Sequence, residues 1–462
     1  MERTIVLEVN EVPKRLLDWW VEREPASATA ALLRSGTLTE TILDEKLPRD
    51  LYPSQSWASL GMGVPYVDHG VFWYGDPKPS QFPFYWQAAA AAGRSVGLVG
   101  VLHSSPREQQ ASGSHYRFVM PDLFGDDPTT VPADLEPIQQ LNLKLSRQSA
   151  RIARVRVGPS DAPAVLSLVK QGVRPSTWRE LTMMAAHVGR GAWNKERLRV
   201  GQSLLLADVF ARQVVRHDPD LAVVFANHVA AFMHRYWAAT FPEDWPDGSG
   251  YSDEWVERHA GELPFAMHAL DRIVGQLTEL ANETKRTLLV VSSMGQKADT
   301  TLDPASGFQA VIRHPDQFLA AAGLAPGHEV RSAMVPQLTV VAESRDDAEH
   351  VEARLDGWLG SGLEELMVAT EGGRQVMTFT CKPHARQDAV LLGGEWRDPR
   401  TVGMSIEEIT DHRSGRHCPR GVLVSNRWER WPAEMSAFDF APMMLDRLDV
   451  PALDHHRSVV RA

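Results

Sequence analysis

The chain predicts an α/β fold, a doubly wound and mostly parallel sheet with a helical cap and a small α+β insertion. Three observations carry that expectation. Residues 4–9, 221–226 and 287–292 are short, continuously apolar runs, as expected of parallel strands buried on both faces. Helical patterns alternate with them, which makes repeated αβ units. Each run stops at polar residues, Asn10-Glu11, Asn227-His228 and Ser293-Met294-Gly295. In an open α/β sheet the crevice at the carboxyl ends of the strands holds the ligand, so these residues decide the chemistry.

The elements follow in order. Val12 to Glu22 is expected to be a helix with Pro13 at its start. Residues 84–93 are an Ala-rich helix stopped by Gly93, and Ser95 to Val101 is the next strand. Residues 104–135, rich in Ser, Gly, Pro and Asp, read as a long functional loop. Residues 136–200 are helical. Helix 201–216 leads into strand 221–226, and Asn227 begins a helix carrying His234, Arg235, Tyr236 and Trp237. Helix 264–282 leads into strand 287–292. The stretch 330–385 breaks the rhythm with strands at 335–342, 365–369 and 376–380 around a helix from Asp346 to Leu359. Strand 421–425 and helix 437–448 return to the core. The expected division is core over 1–125, 201–310 and 401–462, a helical cap over 126–200 and the insertion over 311–400.

Composition narrows the function classes. The 462 residues are 43% hydrophobic and 23% charged, as in a globular protein. A formal charge of −11 argues against a nucleic-acid partner. Charged residues, Gly or His interrupt every apolar run, so no membrane span is expected. No signal peptide precedes the first strand, and two cysteines, Cys381 and Cys418, make no disulfide framework; both fit a cytoplasmic location. The oligomeric state is not legible.

Several segments together resemble the alkaline phosphatase superfamily, in its type I phosphodiesterase and nucleotide pyrophosphatase branch. Gly415-Arg-His417-Cys-Pro-Arg-Gly421-Val-Leu-Val is similar to that family's His-x-Pro-x-Gly-Val-Leu segment. Asp439-Phe-Ala-Pro442 opens a run similar to its closing helix. Tyr52-Pro-Ser-Gln-Ser56-Trp57, followed by Met62-Gly63 and His69-Gly70, resembles its nucleophile loop. The likeness implies an alkaline-phosphatase-like fold and a hydrolase or transferase acting on an anionic phosphate or sulfate ester. It also implies two metal ions, which clamp the attacking and leaving oxygens of an in-line displacement.

The residues at the matching positions do not suit two ions. Asn10 stands where the first Asp ligand is expected, Ser293 and Met294 replace an Asp-His pair, and Ala230 stands four residues before His234. A thioether is a poor ligand for zinc, magnesium or manganese. Only His234 and His417 survive from the expected set. The site is therefore expected to be degenerate, with no metal ligands assigned, no cofactor, and at most one divalent ion. Ser56 is the candidate nucleophile, with His234, His417 and Glu8 as acid/base candidates. Asn10, Glu11, Trp57, Asn227, His228, Ser293 and Gln296 are candidates for holding a small anionic substrate. Each has a plainer role. Asn10 and Glu11 could cap the helix at Pro13, Ser56 could be a turn serine, and Arg235, Tyr236 and Trp237 could be core. Ser59 is a weaker nucleophile candidate, His69-Gly70 reads as a turn, and Trp73-Tyr74 as a rigid aromatic loop. His384, His412, His455 and His456 are expected to be solvated. A pseudoenzyme that binds without catalysis is the alternative function.

Overall fold

The computed structural model describes residues 2–45, 51–71, 82–104, 115–124, 128–147, 158–190, 196–245, 250–300, 308–331, 337–360, 363–371, 374–381, 386–408 and 414–456. The Trp73-Tyr74 loop, His384 and His412 lie outside these residues, as do 105–114 and 125–127; the rest of 104–135 is not one loop, because it contains a strand at Tyr116–Met120.

The strands are β1 (Thr4–Val9), β2 (Thr37–Ile42), β3 (Val96–Val99), β4 (Tyr116–Met120), β5 (Leu221–Ala226), β6 (Thr287–Val291), β7 (Gly295–Ala298), β8 (Phe308–Ile312), β9 (Glu329–Arg331), β10 (Leu338–Ala342), β11 (Leu363–Glu371), β12 (Arg374–Cys381), β13 (Val390–Leu392), β14 (Glu395–Arg397), β15 (Met404–Glu408), β16 (Gly415–Cys418), β17 (Arg420–Ser425) and β18 (Glu434–Ser436). Eight form the main sheet in the order β18-β2-β17-β6-β1-β5-β3-β4. Its pairs are parallel except those of β17, which runs antiparallel to β2 and β6. The chain is thus a mixed α/β protein on a large, mostly parallel sheet.

β1 lies between β5 and β6, with Thr4 opposite both Leu221 and Thr287. All six of its residues are buried, which explains why its sequence is apolar without alternation. The register brings the carboxyl ends of three strands to one edge, where Asn10 N donates to Ala226 O at 3.0 Å. Odd-numbered residues of β1 face one layer, where Val9 lines a small apolar void with Leu17, Leu32 and Leu270. Even-numbered residues face the other layer, where Glu8 meets Tyr85 of helix Tyr85–Ala91 and Asn10 meets Trp57 of helix Pro53–Met62.

Several boundaries shift from the sequence expectation. The first helix is Lys14–Arg23, because Pro13 is its N-cap in extended conformation. No side chain caps that helix, so Asn10 and Glu11 do not serve as its cap. The helices of the expected cap span Glu136–Arg147, Ala162–Lys170 and Pro175–Gly189. Helix Arg197–His217 starts four residues early. The final helix is a short 3-10 turn followed by Phe440–Arg447. A second sheet, β11-β12-β10-β9, carries its own hydrophobic core around Phe318, Val351, Leu355 and Phe379. Among the described residues no helix is long and apolar enough to cross a membrane.

Candidate functional site

Glu11 is the hub of the site. It follows the end of β1 in a left-handed backbone conformation, φ 60°, which turns its carboxylate back over the sheet edge. That region costs a non-glycine residue on the order of 1–2 kcal/mol, so packing and hydrogen bonds must hold it there. Its Oε2 lies 2.9 Å from His234 Nε2 and 3.3 Å from His417 Nε2. Gln296 Nε2 donates to the same oxygen and to Ala230 O. Its Oε1 accepts from Asn10 Nδ2 at 2.8 Å. Burial alone would raise the Glu11 carboxyl; the His417 and His234 charges and their hydrogen bonds outweigh it and hold the group well below the usual carboxylate range.

The two imidazoles come from separate elements. His234 is on helix His228–Thr240, which follows β5. His417 is on β16, which pairs antiparallel with β7 so that His417 stands opposite Gln296. Their ring centroids are 5.0 Å apart. The helix is broken at Tyr236, φ −122° and ψ 18°. Ser414 fills the break: its N donates to His234 O, its hydroxyl donates to Arg235 O, and Ala238 N donates to that hydroxyl, at 2.7, 3.0 and 3.1 Å. Gly415 O then accepts from His234 Nδ1 at 2.9 Å. Gly415 must be glycine, since a Cβ there would lie 2.5 Å from both Met233 O and Gln296 Oε1. Neither Ser414 nor the Gly415 carbonyl could be recognised from sequence, because their partners lie about 180 residues earlier.

Neutral amides frame the cluster. Asn10 Nδ2 also donates to Asn227 Oδ1 at 2.7 Å, and Trp57 Nε1 donates to Asn10 Oδ1 at 2.9 Å. Protein groups thus occupy both ends of the Asn10 amide, and Trp57 is buried behind it. Asn10, Trp57 and Gln296 act as supports for Glu11 and Asn227. The members that reach solvent are Asn227, His234 and His417, the imidazole side chains 29% and 18% exposed.

The serines form a separate pair. Ser56 Oγ lies 2.8 Å from Ser293 Oγ, and Ser56 also donates to Pro53 O. Both residues are 0% exposed. The side chain bonded to Ser56 is therefore a hydroxyl and not a base.

Three other candidates stand apart. Glu8 is buried two residues below Asn10, with Tyr85 Oη donating to it at 3.4 Å; burial pushes its pKa up to about 8, which that hydrogen bond only partly offsets. His228 is buried against the backbone of Ala266 on helix Glu262–Glu283, and burial lowers its pKa to about 4. It is next to Asn227 in sequence, but one residue of helix turns it about 100° away. Ser59 shares hydrogen bonds with Glu45 and with His69 Nε2, the latter at 2.9 Å. Val71 N donates to His69 Nδ1, so the His69 proton is on Nε2 and faces Ser59. That imidazole, held neutral by burial with a pKa near 3, cannot accept the serine's proton. The expected turn after it is present, with Gly70 at φ 65°.

Elsewhere, Arg235, Tyr236 and Trp237 are buried, as core residues would be. His455 and His456 are half-buried, and their Nε2 atoms approach Met62 O at 3.3 and 3.2 Å. Cys381 and Cys418 are free thiols.

A second ion of a two-metal site does not fit here. Asn10, Ser293 and Met294 supply no charge, the Asn10 oxygen is already bonded, and the Met294 side chain is buried. Glu11, His234 and His417 can instead present three ligand atoms within 4.8 Å of one another, a set able to hold one ion.

No family model matches the chain, and no curated protein matches its sequence. Solved structures do align along most of its length. Phosphonoacetate hydrolase from Sinorhizobium meliloti 1021, in complex with phosphonoformate, aligns at 13% identity and a TM-score of 0.42, over 97% of this chain and 96% of that one. Murine ectonucleotide pyrophosphatase/phosphodiesterase 5 aligns at 10% identity and a TM-score of 0.42, over 99% and 98%. At such values the likeness transfers neither residues nor activity.

Proposed function

We propose that the protein is an alkaline-phosphatase-like enzyme that hydrolyses, or transfers a group from, a small anionic phosphate or sulfate ester without a two-metal site. The observation that supports this reading best is the meeting of Glu11, Asn227, His234, Gln296 and His417 at the carboxyl edge of the sheet. Four separated segments supply them, and the solvent-facing members are two imidazoles and an amide. A packing role explains buried Asn10 or Trp57. It does not explain imidazoles held against a buried carboxylate where a doubly wound sheet keeps its crevice.

In hydrolysis, a water oxygen forms a bond to phosphorus or sulfur while the ester P–O or S–O bond breaks. The proton lost by water and the proton gained by the leaving alkoxide are carried by His234 and His417, whose rings are partly exposed at the sheet edge and meet Glu11 through Nε2. Asn227 donates to a non-bridging oxygen of the ester. Glu11 orients both imidazoles and compensates their charge.

One observation favours the second reading, a protein that binds an anion without turning it over: Ser56 and Ser293 are fully buried and bonded to each other. A panel of phosphate and sulfate esters separates the two. Turnover by the wild type that is lost in His234→Ala and His417→Ala supports the enzyme. Saturable binding of inorganic phosphate with no turnover of any ester replaces it with the binding protein.

A further inference from the structure

The geometry points to a single-ion site for a divalent transition metal, zinc by preference, built from Glu11 Oε2, His234 Nε2 and His417 Nε2. Three observations lead there, none of which requires turnover. The first is the proton on His234. Gly415 O can only accept, so the Nδ1 atom 2.9 Å from it carries hydrogen. In the neutral ring the Nε2 atom then has a bare lone pair, and that lone pair faces the Glu11 carboxylate at 2.9 Å. An imidazolium N–H donating to Glu11 satisfies that approach, and a metal ion taking the proton's place would use the same nitrogen and the same oxygen. A backbone carbonyl on the far nitrogen is also the usual way a protein fixes a metal-ligating imidazole.

The second is spacing. Tetrahedral zinc with ligand bonds of about 2.0 Å separates its ligand atoms by about 3.3 Å. Glu11 Oε2 stands 2.9 and 3.3 Å from the two imidazole nitrogens, and the three atoms all lie within 4.8 Å of one another. The third is the backbone. Glu11 is held at φ 60°, and the Ser414–Gly415 segment is locked into the break of the His234 helix. Glu11 and Gly415 are thus fixed where they set the ligand atoms.

Two imidazoles and one carboxylate suit zinc or a neighbouring transition metal better than magnesium or calcium, which take oxygen ligands. One carboxylate leaves the loaded site with a net positive charge, and three protein ligands leave a fourth position for an anionic oxygen. The site differs from the two-ion arrangement that the sequence resemblance implies, because Glu11 supplies the carboxylate where Ala230 offers none.

The inference shares its residues with the proposed function, and zinc on both Nε2 atoms would take the place of their proton transfer, so its test reads metal and not turnover. The full chain is freed of metal with a chelator and titrated with zinc alone by calorimetry, then with cobalt(II) to follow the visible bands of a tetrahedral site. One zinc per chain is expected. His417→Ala and Glu11→Gln should each weaken binding by roughly 100-fold. His417 is half-buried, so its variant remains informative if Glu11→Gln fails to fold. His455→Ala/His456→Ala should leave the affinity unchanged. No binding, two ions per chain, or binding that depends on His455 and His456 in place of His417 would overturn the assignment. Zinc binding without turnover of any ester would sink the enzyme reading alone; turnover that survives chelation in a chain that binds no zinc would sink the metal site alone.

Discussion

Glu8 and Glu11 stand three residues apart on one strand and its extension, both buried, and the fold pushes them in opposite directions. Glu8 lies on the even face of β1 beneath Tyr85. It has one long hydrogen bond there, and burial drives its pKa up to about 8. Glu11 lies at the sheet edge, and His417 and His234 more than offset its burial. Burial by itself therefore makes a carboxyl a neutral core group; burial beside two imidazoles makes it a fixed anion. The strand supplies both, and only the edge supplies partners.

That contrast can be broken by experiment, beginning with its strongest consequence. Glu11→Gln removes a buried charge that two imidazoles and two amides face, so stability at neutral pH should fall by roughly 4 kcal/mol. Glu8→Gln should do the opposite. In the unfolded chain Glu8 ionises near pH 4.5, whereas the folded chain holds its proton to about pH 8. The folded state therefore binds more proton between those values. The Glu8 contribution is complete below pH 4.5 and is lost as pH rises to 8, on the order of 5 kcal/mol across that window. Urea midpoints measured from pH 5 to 9 should show Glu8→Gln flattening that decline. Equal losses in both variants would mean that the two carboxyls share one environment.

Smaller effects sharpen the comparison. Trp57→Phe leaves Asn10 Oδ1 buried without its donor and should cost about 2 kcal/mol. If it instead changes substrate affinity with no loss in melting temperature, Trp57 faces the ligand and not Asn10. Ser414→Ala deletes the two side-chain hydrogen bonds that fill the helix break and should cost about 1 kcal/mol. Its signature is a larger loss of zinc affinity than of stability, and a variant with normal affinity would show that the break does not set His234.

Much of this was legible in the sequence for physical reasons. Continuous apolar runs identify β1, β5 and β6 because parallel strands are buried on both faces, and their polar ends mark the crevice. The alternation that puts Glu8 on the side of Asn10 is also correct. It does not report depth: two residues are about 7 Å along a strand, enough to place Glu8 under a helix. His228 is a site candidate by sequence, but one residue of helix turns it away from Asn227 into the core. Glu11 was recognised as a site residue, but its central place depends on a left-handed backbone turn and on His417, about 400 residues later, which no local pattern encodes. Ser56 is a candidate nucleophile by sequence, and the fold bonds its hydroxyl to Ser293.

The account stands or falls on whether the Glu11, His234 and His417 cluster performs chemistry. The direct measurement is paired, with turnover of the best ester and melting temperature determined on the same His234→Ala and His417→Ala proteins. Both variants should melt within a few degrees of the wild type and lose turnover by roughly 100-fold or more, the usual worth of a positioned acid/base group. Wild-type turnover in both variants would contradict the account.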